Sequence, residues 1–301
     1  MIQEGTPSSA SSSQVDCLAC GERGRYWITK AARDVWRCRR CALVWVPEGL
    51  VVDDAGASIY ETETPIFLQD GNEAYYLDET NLASCREKVA FVASHLPAGK
   101  RLLDAGANFG HFLSVARDRY EARGVEISKA AVAWSIDHFG VENHAASIYA
   151  LPKELAGPYD AVTLWDVIEH VPRPAEALEA LRRTLAPGGL LFLSTPDAGS
   201  KVARAMGARW HYLDPIQHIV LFDRKNLGRL VAGAGFELLA VRTFGHHYRV
   251  GYVLDRLAYL HAGGVLGAVT TTARKLGSPL SRRSLYLNLG DVMGLVARRV
   301  G

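Results

Sequence analysis

A short apolar run followed by a glycine-rich turn restricts this chain to few folds. The run covers residues 101–105, and the turn Gly106-Ala107-Asn108-Phe109-Gly110 leads into a helical pattern over residues 111–120. A strand, a glycine-rich turn and a helix in this order open a doubly wound sheet, in which ligands bind at the carboxyl ends of the strands. The sequence therefore predicts an α/β, Rossmann-like domain with a ligand site beside this turn.

The acidic residues around the turn indicate the kind of ligand. The next strand, predicted over 122–125, leads into Glu126, where an acidic side chain can hold a ribose diol through two hydrogen bonds. A dinucleotide fingerprint places a pyrophosphate on this turn, but the carboxylate of Asp104 would repel one. The Asp104 carboxylate instead suits a ligand with a positively charged end. S-adenosylmethionine, which carries an ammonium and a sulfonium, is such a ligand.

Four of the five cysteines form two CxxC pairs separated by residues 21–37. This spacing is typical of a zinc ribbon, in which each pair supplies two thiolates from one tight turn. Because all four ligands are cysteines, no position is left for water and the metal is expected to be structural. The predicted zinc ligands are Cys17, Cys20, Cys38 and Cys41.

The predicted ribbon is rich in aromatic residues, among them Tyr26, Trp27, Trp36 and Trp45. They could stack on nucleotides, with the arginines at 37, 39 and 40 touching phosphates. Alternatively they form a small core and a docking face onto the neighbouring domain, because so small a module cannot build a core otherwise.

The fifth cysteine, Cys85, lies alone on a predicted helix and is expected to be a core or half-buried thiol.

The charge balance gives no support to a polyanion partner. The 301 residues carry 34 basic and 32 acidic side chains, a formal net charge of +2. Nucleic acid or an anionic membrane surface is therefore not favoured. Residues 1–13 are polar, and no apolar stretch approaches the roughly 20 residues of a spanning helix. We expect a cytoplasmic protein, and a homodimer is left open.

Three further segments resemble class I S-adenosylmethionine-dependent methyltransferases, in the group that includes the ubiquinone O-methyltransferases. They are residues 159–171 (YDAVTLWDVIEHV), residues 185–193 (LAPGGLLFL), and QHIVLF at 217–222 with the leucine-rich segment 227–236. The resemblance spans residues 72–245, and it departs from the family at Asn108, where a glycine is usual. Asparagine can adopt the same backbone angles. A zinc ribbon ahead of such a domain also resembles the sugar C-methyltransferases of antibiotic pathways.

The resemblance implies a seven-stranded sheet whose last strand, over 292–300, is antiparallel to its neighbours. A helical insertion around 250–266 is expected to form part of a substrate lid, with a membrane-surface helix as the alternative. A helix is also predicted between 72 and 96. The domains predicted are a disordered tail (1–13), the zinc ribbon (14–48), a connector and helical lid (49–99), the methyltransferase core (100–245), and a helical cover with the final strand (246–301).

The same resemblance assigns the residues that bind the methyl donor. The turn would hold the methionine end and Glu126 the ribose, while Ile127 would lie beside the adenine. Ser147 and Ile148 would cover the adenine edge, and Trp165 would flank the donor. The predicted set is Asp104, Gly106, Ala107, Asn108, Gly110, Glu126, Ile127, Ser147, Ile148 and Trp165.

Two histidines are the predicted catalytic residues, because a hydroxyl or carbon acid acceptor needs a base. His218 lies in an aromatic stretch, and His170 follows the fourth strand; each has a structural alternative as a histidine that holds its loop. Asp166-x-x-Glu169-His170 is similar to the ExxEH segment of the ubiquinone-type relatives, which implies a divalent ion there. Of the adjacent His246 and His247, at most one faces the cleft, since neighbours on a strand point opposite ways.

Three functions are compatible with these patterns. The first is transfer of a methyl group to a small-molecule acceptor, a sugar or other secondary metabolite, on oxygen or carbon. The second is RNA methylation with the ribbon holding the nucleic acid. The third is a non-catalytic scaffold, against which the acids at 104 and 126 argue.

Overall fold

The computed structural model describes residues 2–3, 15–50, 58–61, 80–251 and 283–301. A small sheet lies at the amino-terminal end of the chain. Its strands are β1 (Ile2–Gln3), β2 (Gly24–Lys30), β3 (Arg33–Cys38) and β4 (Val44–Trp45), each antiparallel to the next. The predicted tail at 1–13 lies outside the described residues except for β1, which pairs with β2.

A seven-stranded sheet forms the centre of the molecule. Its strands are β5 (Arg101–Ala105), β6 (Glu121–Glu126), β7 (Asn143–Ala145), β8 (Tyr159–Trp165), β9 (Leu185–Pro196), β11 (Phe236–Arg249) and β12 (Ser284–Arg299). The spatial order is β11-β12-β9-β8-β5-β6-β7, and the five strands from β9 to β7 are parallel. β12 is antiparallel to both of its neighbours, as predicted for the last strand.

The helices flank this sheet. They are α1 (Thr80–Ala93), α2 (His111–Ala116), α3 (Lys129–Phe139), α4 (Pro174–Thr184), α5 (Lys201–Met206) and α6 (Arg224–Gly233). Strands covered on both faces are apolar along their whole length. In β8 only Asp160 escapes full burial. The doubly wound α/β fold predicted from the sequence is confirmed.

The ribbon is continuous with the main domain. A fifth strand, β10 (Val220–Leu221), comes from the main domain and pairs antiparallel with β4. Trp36 and Trp45 are 7% and 1% exposed, in one apolar cluster with residues of β8 and β9. These two tryptophans therefore form the docking face, the second of the two alternatives considered for the aromatic residues.

The element bounds differ from the predicted domain limits at two places. β11 runs through the limit predicted between 245 and 246, so 246–249 belong to the sheet, and β12 begins before 292. Most of the helical stretch predicted around 250–266 lies outside the described residues. α1 occupies the middle of the helix predicted between 72 and 96 and buries Cys85, as expected. Among the described residues, no helix is long and apolar enough to cross a membrane.

Candidate active site

The glycine-rich turn follows β5 with three residues in the left-handed region. Gly106, Asn108 and Gly110 have φ angles of 82°, 47° and 72°. Asn108 thus adopts the angles that glycine would supply, and its Oδ1 accepts a hydrogen bond from the backbone N–H of Phe109. At Gly106 a Cβ would lie 2.5 Å from Val167 Cγ2, so the turn packs closely on the loop after β8. The sequence analysis interpreted this glycine as allowing a ligand to approach the backbone, whereas in the structure the group that approaches it is the Val167 side chain.

Glu126 connects the turn to the end of β6. Its Oε2 accepts the backbone N–H of Asn108 and its Oε1 that of Ser128, both at 2.9 Å. The side chain is buried, which raises its pKa, while these N–H groups act against the rise. A carboxylate has further lone pairs, so the same group can also accept from a ribose diol. Its contact with the turn was not foreseen from the sequence.

Asp104 is the second buried acid at this edge. Its Oδ1 accepts a hydrogen bond of 2.6 Å from Thr163 Oγ1 on β8. Burial raises the pKa of Asp104 to about 7, with the Thr163 hydrogen bond acting in the opposite direction. A buried carboxylate that ionises near neutral pH is a suitable partner for a cationic ligand.

The remaining predicted donor residues surround the same edge. Ile127 is 39% exposed although it directly follows the buried end of β6, and Ser147 and Ile148 are half-buried. Trp165 is 9% exposed and packs between Phe112 and Phe244. Its Nε1 is buried and has no hydrogen-bond partner among the described residues.

Asp166 is not placed to join the divalent-ion site predicted at Asp166, Glu169 and His170. Its Oδ2 lies 2.8 Å from Lys88 Nζ, and its Oδ1 accepts a hydrogen bond from Ser194. Burial acts to raise the pKa of Asp166, but the Lys88 ammonium outweighs it and the pKa is lowered. Lys88 also lies over the Trp165 ring, 5.4 Å from its centroid. The ion pair with Lys88 thus engages the carboxylate that was predicted as a metal ligand.

His218 takes the place of Asp166. One side-chain ligand atom each from Glu169, His170 and His218 lies within 4.8 Å of the other two. Nδ1 of His170 lies 2.8 Å from the carbonyl oxygen of Gln217 and also 2.8 Å from Tyr60 Oη, and Nδ1 of His218 lies 2.7 Å from the carbonyl oxygen of Tyr212. Because a carbonyl only accepts, both Nδ1 atoms carry the hydrogen, which leaves both Nε2 atoms as electron-pair donors.

The surroundings of this triad favour neutral histidines. Burial, and then the neighbouring His218, lower the pKa of His170 to about 3. Burial also lowers the pKa of His218. For Glu169, burial and then the charge of Asp166 raise the pKa to about 8. Neutral imidazoles are good metal ligands, whereas a pKa near 3 makes a weak base at neutral pH.

The two adjacent histidines of β11 contact different residues. His246 Nε2 lies 3.4 Å from Tyr212 Oη, on the side of the aromatic stretch. His247 Nε2 pairs with Glu87 of α1 at 3.0 Å. The structure adds a group that sequence reasoning missed: the buried Asp291 lies 3.6 Å from His211 Nε2.

The four predicted zinc ligands come together in the ribbon. Cys17 Sγ lies 3.5 Å from Cys41 Sγ, and Cys20 Sγ lies 3.6 Å from Cys38 Sγ, with all four atoms within 4.8 Å of one another. Four sulfurs at the usual Zn–S distance of about 2.3 Å are about 3.8 Å apart in a tetrahedron. The arrangement of free thiols therefore fits a tetrahedral zinc ion.

Comparison with known proteins gives the family. A family model described as "Methyltransferase domain" matches residues 77–241, more than half of the chain. The chain therefore belongs to this methyltransferase family, as the resemblance implied.

Curated relatives carry the name ubiquinone biosynthesis O-methyltransferase. One from Burkholderia pseudomallei is 30% identical over 166 residues, 51% of this chain and 71% of that protein. Another, from Acinetobacter baumannii, is 34% identical over 111 residues, 35% of this chain and 47% of that protein. This chain thus spans about half the length of the latter relative.

Solved structures confirm the fold. An S-adenosylmethionine-dependent methyltransferase from Thermotoga maritima has a TM-score of 0.52 at 20% identity, covering 78% of this chain and 98% of that one. One from Archaeoglobus fulgidus has a TM-score of 0.50 at 18% identity, covering 75% and 97%.

Proposed function

We propose that this protein transfers a methyl group from S-adenosylmethionine to a hydroxyl of a small-molecule acceptor. The observation that carries the proposal is the pair of buried acids at one edge of the sheet. Asp104 is the penultimate residue of β5 and Glu126 the last residue of the neighbouring parallel strand β6, and Glu126 holds the turn between them. This arrangement offers a cationic nucleoside one carboxylate for its charged methionine end and one for its ribose.

The donor is held by the residues around the turn. The methionine part lies against Asp104, Gly106, Ala107, Asn108 and Gly110, and Glu126 accepts from the ribose. Ile127 supplies an exposed apolar contact for the adenine, with Ser147 and Ile148 at its edge. Trp165 flanks the donor, its ring held between Phe112 and Phe244.

The acceptor is a sugar or other secondary metabolite. The relatives' name supports transfer to oxygen. The burial of Trp36 and Trp45 supports a small molecule over RNA, because these rings are not available to stack on nucleotides. Transfer to a hydroxyl displaces the sulfur in line, so the protein mainly aligns donor and acceptor and excludes water.

Two metal sites belong to the proposal. Zinc is held by Cys17, Cys20, Cys38 and Cys41 in a structural role. Glu169, His170 and His218 hold a divalent cation, His170 and His218 through the ring nitrogens that the backbone carbonyls leave as electron-pair donors. When bound, that cation supplies positive charge that favours the ionised form of a nearby acceptor hydroxyl.

The test uses S-adenosylmethionine with a deuterated methyl group. The protein is incubated with pools of hydroxylated aromatics, sugars and nucleotide sugars, and separately with bulk RNA, and products are read by mass spectrometry. Label in a small molecule is the expected result, and label confined to RNA would overturn the proposed acceptor class.

Metal analysis of His170→Ala and His218→Ala, against His95→Ala as the control, tests the cation site. Only the first two variants should lose the divalent ion.

A further inference from the structure

Methyl transfer to a neutral hydroxyl requires a group that takes its proton. His170 and His218 face one another with ring centroids 4.9 Å apart, and both lie against Glu169. Their Nδ1 atoms are already committed to backbone carbonyls. Both rings are suited to binding a cation, which would occupy the lone pairs that a base needs.

A different histidine has a carboxylate partner. Asp291 is only 4% exposed and its Oδ2 accepts a hydrogen bond of 3.2 Å from Trp210 Nε1. The same oxygen lies 3.6 Å from Nε2 of His211, whose side chain is 35% exposed. A buried carboxylate behind a partly exposed imidazole is the arrangement that orients a histidine base and stabilises its protonated form.

The His211–Asp291 pair lies at the edge of the sheet that carries the donor turn. The backbone carbonyl of Asp291 accepts the N–H of Asp197, directly after β9, and Val292 pairs with Pro196 at the end of β9. Two residues before Pro196, Ser194 holds Asp166 at the end of β8.

His246 connects the pair to that region. It approaches Tyr212, the residue after His211, and it interacts electrostatically with Asp166, Asp291 and His211. These contacts place the pair near Asp166, at the ends of β8 and β9.

We propose that His211 is the general base of the transfer and that Asp291 and Trp210 position it; this rests on the function proposed above. Nε2 of His211 lies 3.6 Å from Asp291 Oδ2, so the imidazolium formed by proton uptake lies beside a carboxylate. As the acceptor oxygen bonds to the methyl carbon, the carbon–sulfur bond breaks and leaves a neutral thioether. The acceptor O–H proton moves to the His211 imidazole, and the imidazolium, stabilised by the Asp291 carboxylate, then releases it to water.

The test compares two acceptors that differ in acidity. Catechol is un-ionised at neutral pH, whereas 4-nitrocatechol is largely ionised and needs less help from a base. His211→Gln should lower kcat/KM for catechol by about 10²-fold or more, and for 4-nitrocatechol by much less. Asp291→Asn should also lower kcat/KM more for catechol than for 4-nitrocatechol, but by a smaller factor than His211→Gln. His95→Gln, an exposed histidine after α1, is the matched control and should leave both rates unchanged.

Binding of S-adenosylmethionine, measured by calorimetry, separates the possible failures. Variants that bind the donor normally but lose equal activity on both acceptors, or none, would overturn the role of His211. If His211→Gln fails to fold, the test uses Asp291→Asn instead, and an equal loss of activity on both acceptors, or no loss, would overturn the role of His211. A wild-type protein that methylates no hydroxyl acceptor would overturn the proposed function and this inference with it.

Discussion

Asn108 occupies a backbone position that few side chains tolerate. Its φ of 47° is accessible to asparagine and glycine but costs a β-branched residue about 1 to 2 kcal/mol. We expect Asn108→Gly to keep donor affinity within a few-fold of the wild type. Asn108→Val should lower the free energy of unfolding, measured in urea, and weaken donor binding. Equal stability of the valine variant would show that the turn does not need the left-handed conformation.

The pKa of Asp104 predicts how donor binding depends on pH. Burial raises this pKa to about 7, so the carboxyl is largely protonated at about pH 6 and largely ionised at about pH 8. Because S-adenosylmethionine carries positive charge, its affinity should increase with pH across this range, by no more than about tenfold per unit. Calorimetry at several pH values measures the slope. Asp104→Asn should bind more weakly at the higher pH and remove most of the slope; an unchanged slope would contradict this assignment.

The donor residues could be predicted from sequence because their positions follow local spacing. Asp104 and Glu126 lie at the carboxyl ends of β5 and β6, and strand ends are readable from apolar runs. The acceptor side could not be predicted in the same way. Lys88 and Asp166 pair across 78 positions, and the contact of His211 with Asp291 depends on where β12 joins the sheet. Such contacts follow from the tertiary fold and leave no local pattern.

The element that joins the ribbon to the main domain was also not predictable. β10 has only two residues, too few to show alternation, yet it pairs with β4 and extends the ribbon sheet. Lys30 Nζ and Arg33 Nη1 reinforce this junction by donating to the backbone carbonyls of Ala208 and Pro215. The ribbon therefore supports the segment 207–219, which carries His211 and His218.

Asn226 provides a test of that junction. Its side chain is fully buried, donates to the carbonyl of Cys41 in the ribbon and accepts from the N–H of Asp223 at the start of α6. Asn226→Leu removes both hydrogen bonds and leaves buried polar groups unpaired, which should cost about 1 to 3 kcal/mol of unfolding free energy. Urea unfolding measures the loss. The exposed neighbour offers the control Lys225→Ala, which should change stability little. A neutral leucine variant would contradict a stabilising role for this contact.

At the scale of the whole molecule, the ribbon and the main domain share one apolar cluster. Removal of zinc should therefore lower the unfolding temperature of the entire chain, since binding free energy of a structural zinc is folding free energy. Calorimetric scans of zinc-loaded and chelator-treated protein, and of Cys20→Ser, measure the shift. A separate low-temperature transition with the main transition unchanged would show that the two parts unfold independently.

The central claim is that this edge of the sheet binds S-adenosylmethionine, and calorimetric titration with that ligand tests it most directly. We predict one binding site per chain and at least about tenfold weaker binding in Glu126→Gln, since a hydrogen bond to a charged group contributes about 1.5 to 3 kcal/mol. Glu121→Gln, exposed at the other end of β6, is the matched control and should bind as the wild type does. A folded, zinc-loaded protein that gives no binding heat at several temperatures, or equal affinity in Glu126→Gln, would contradict the account.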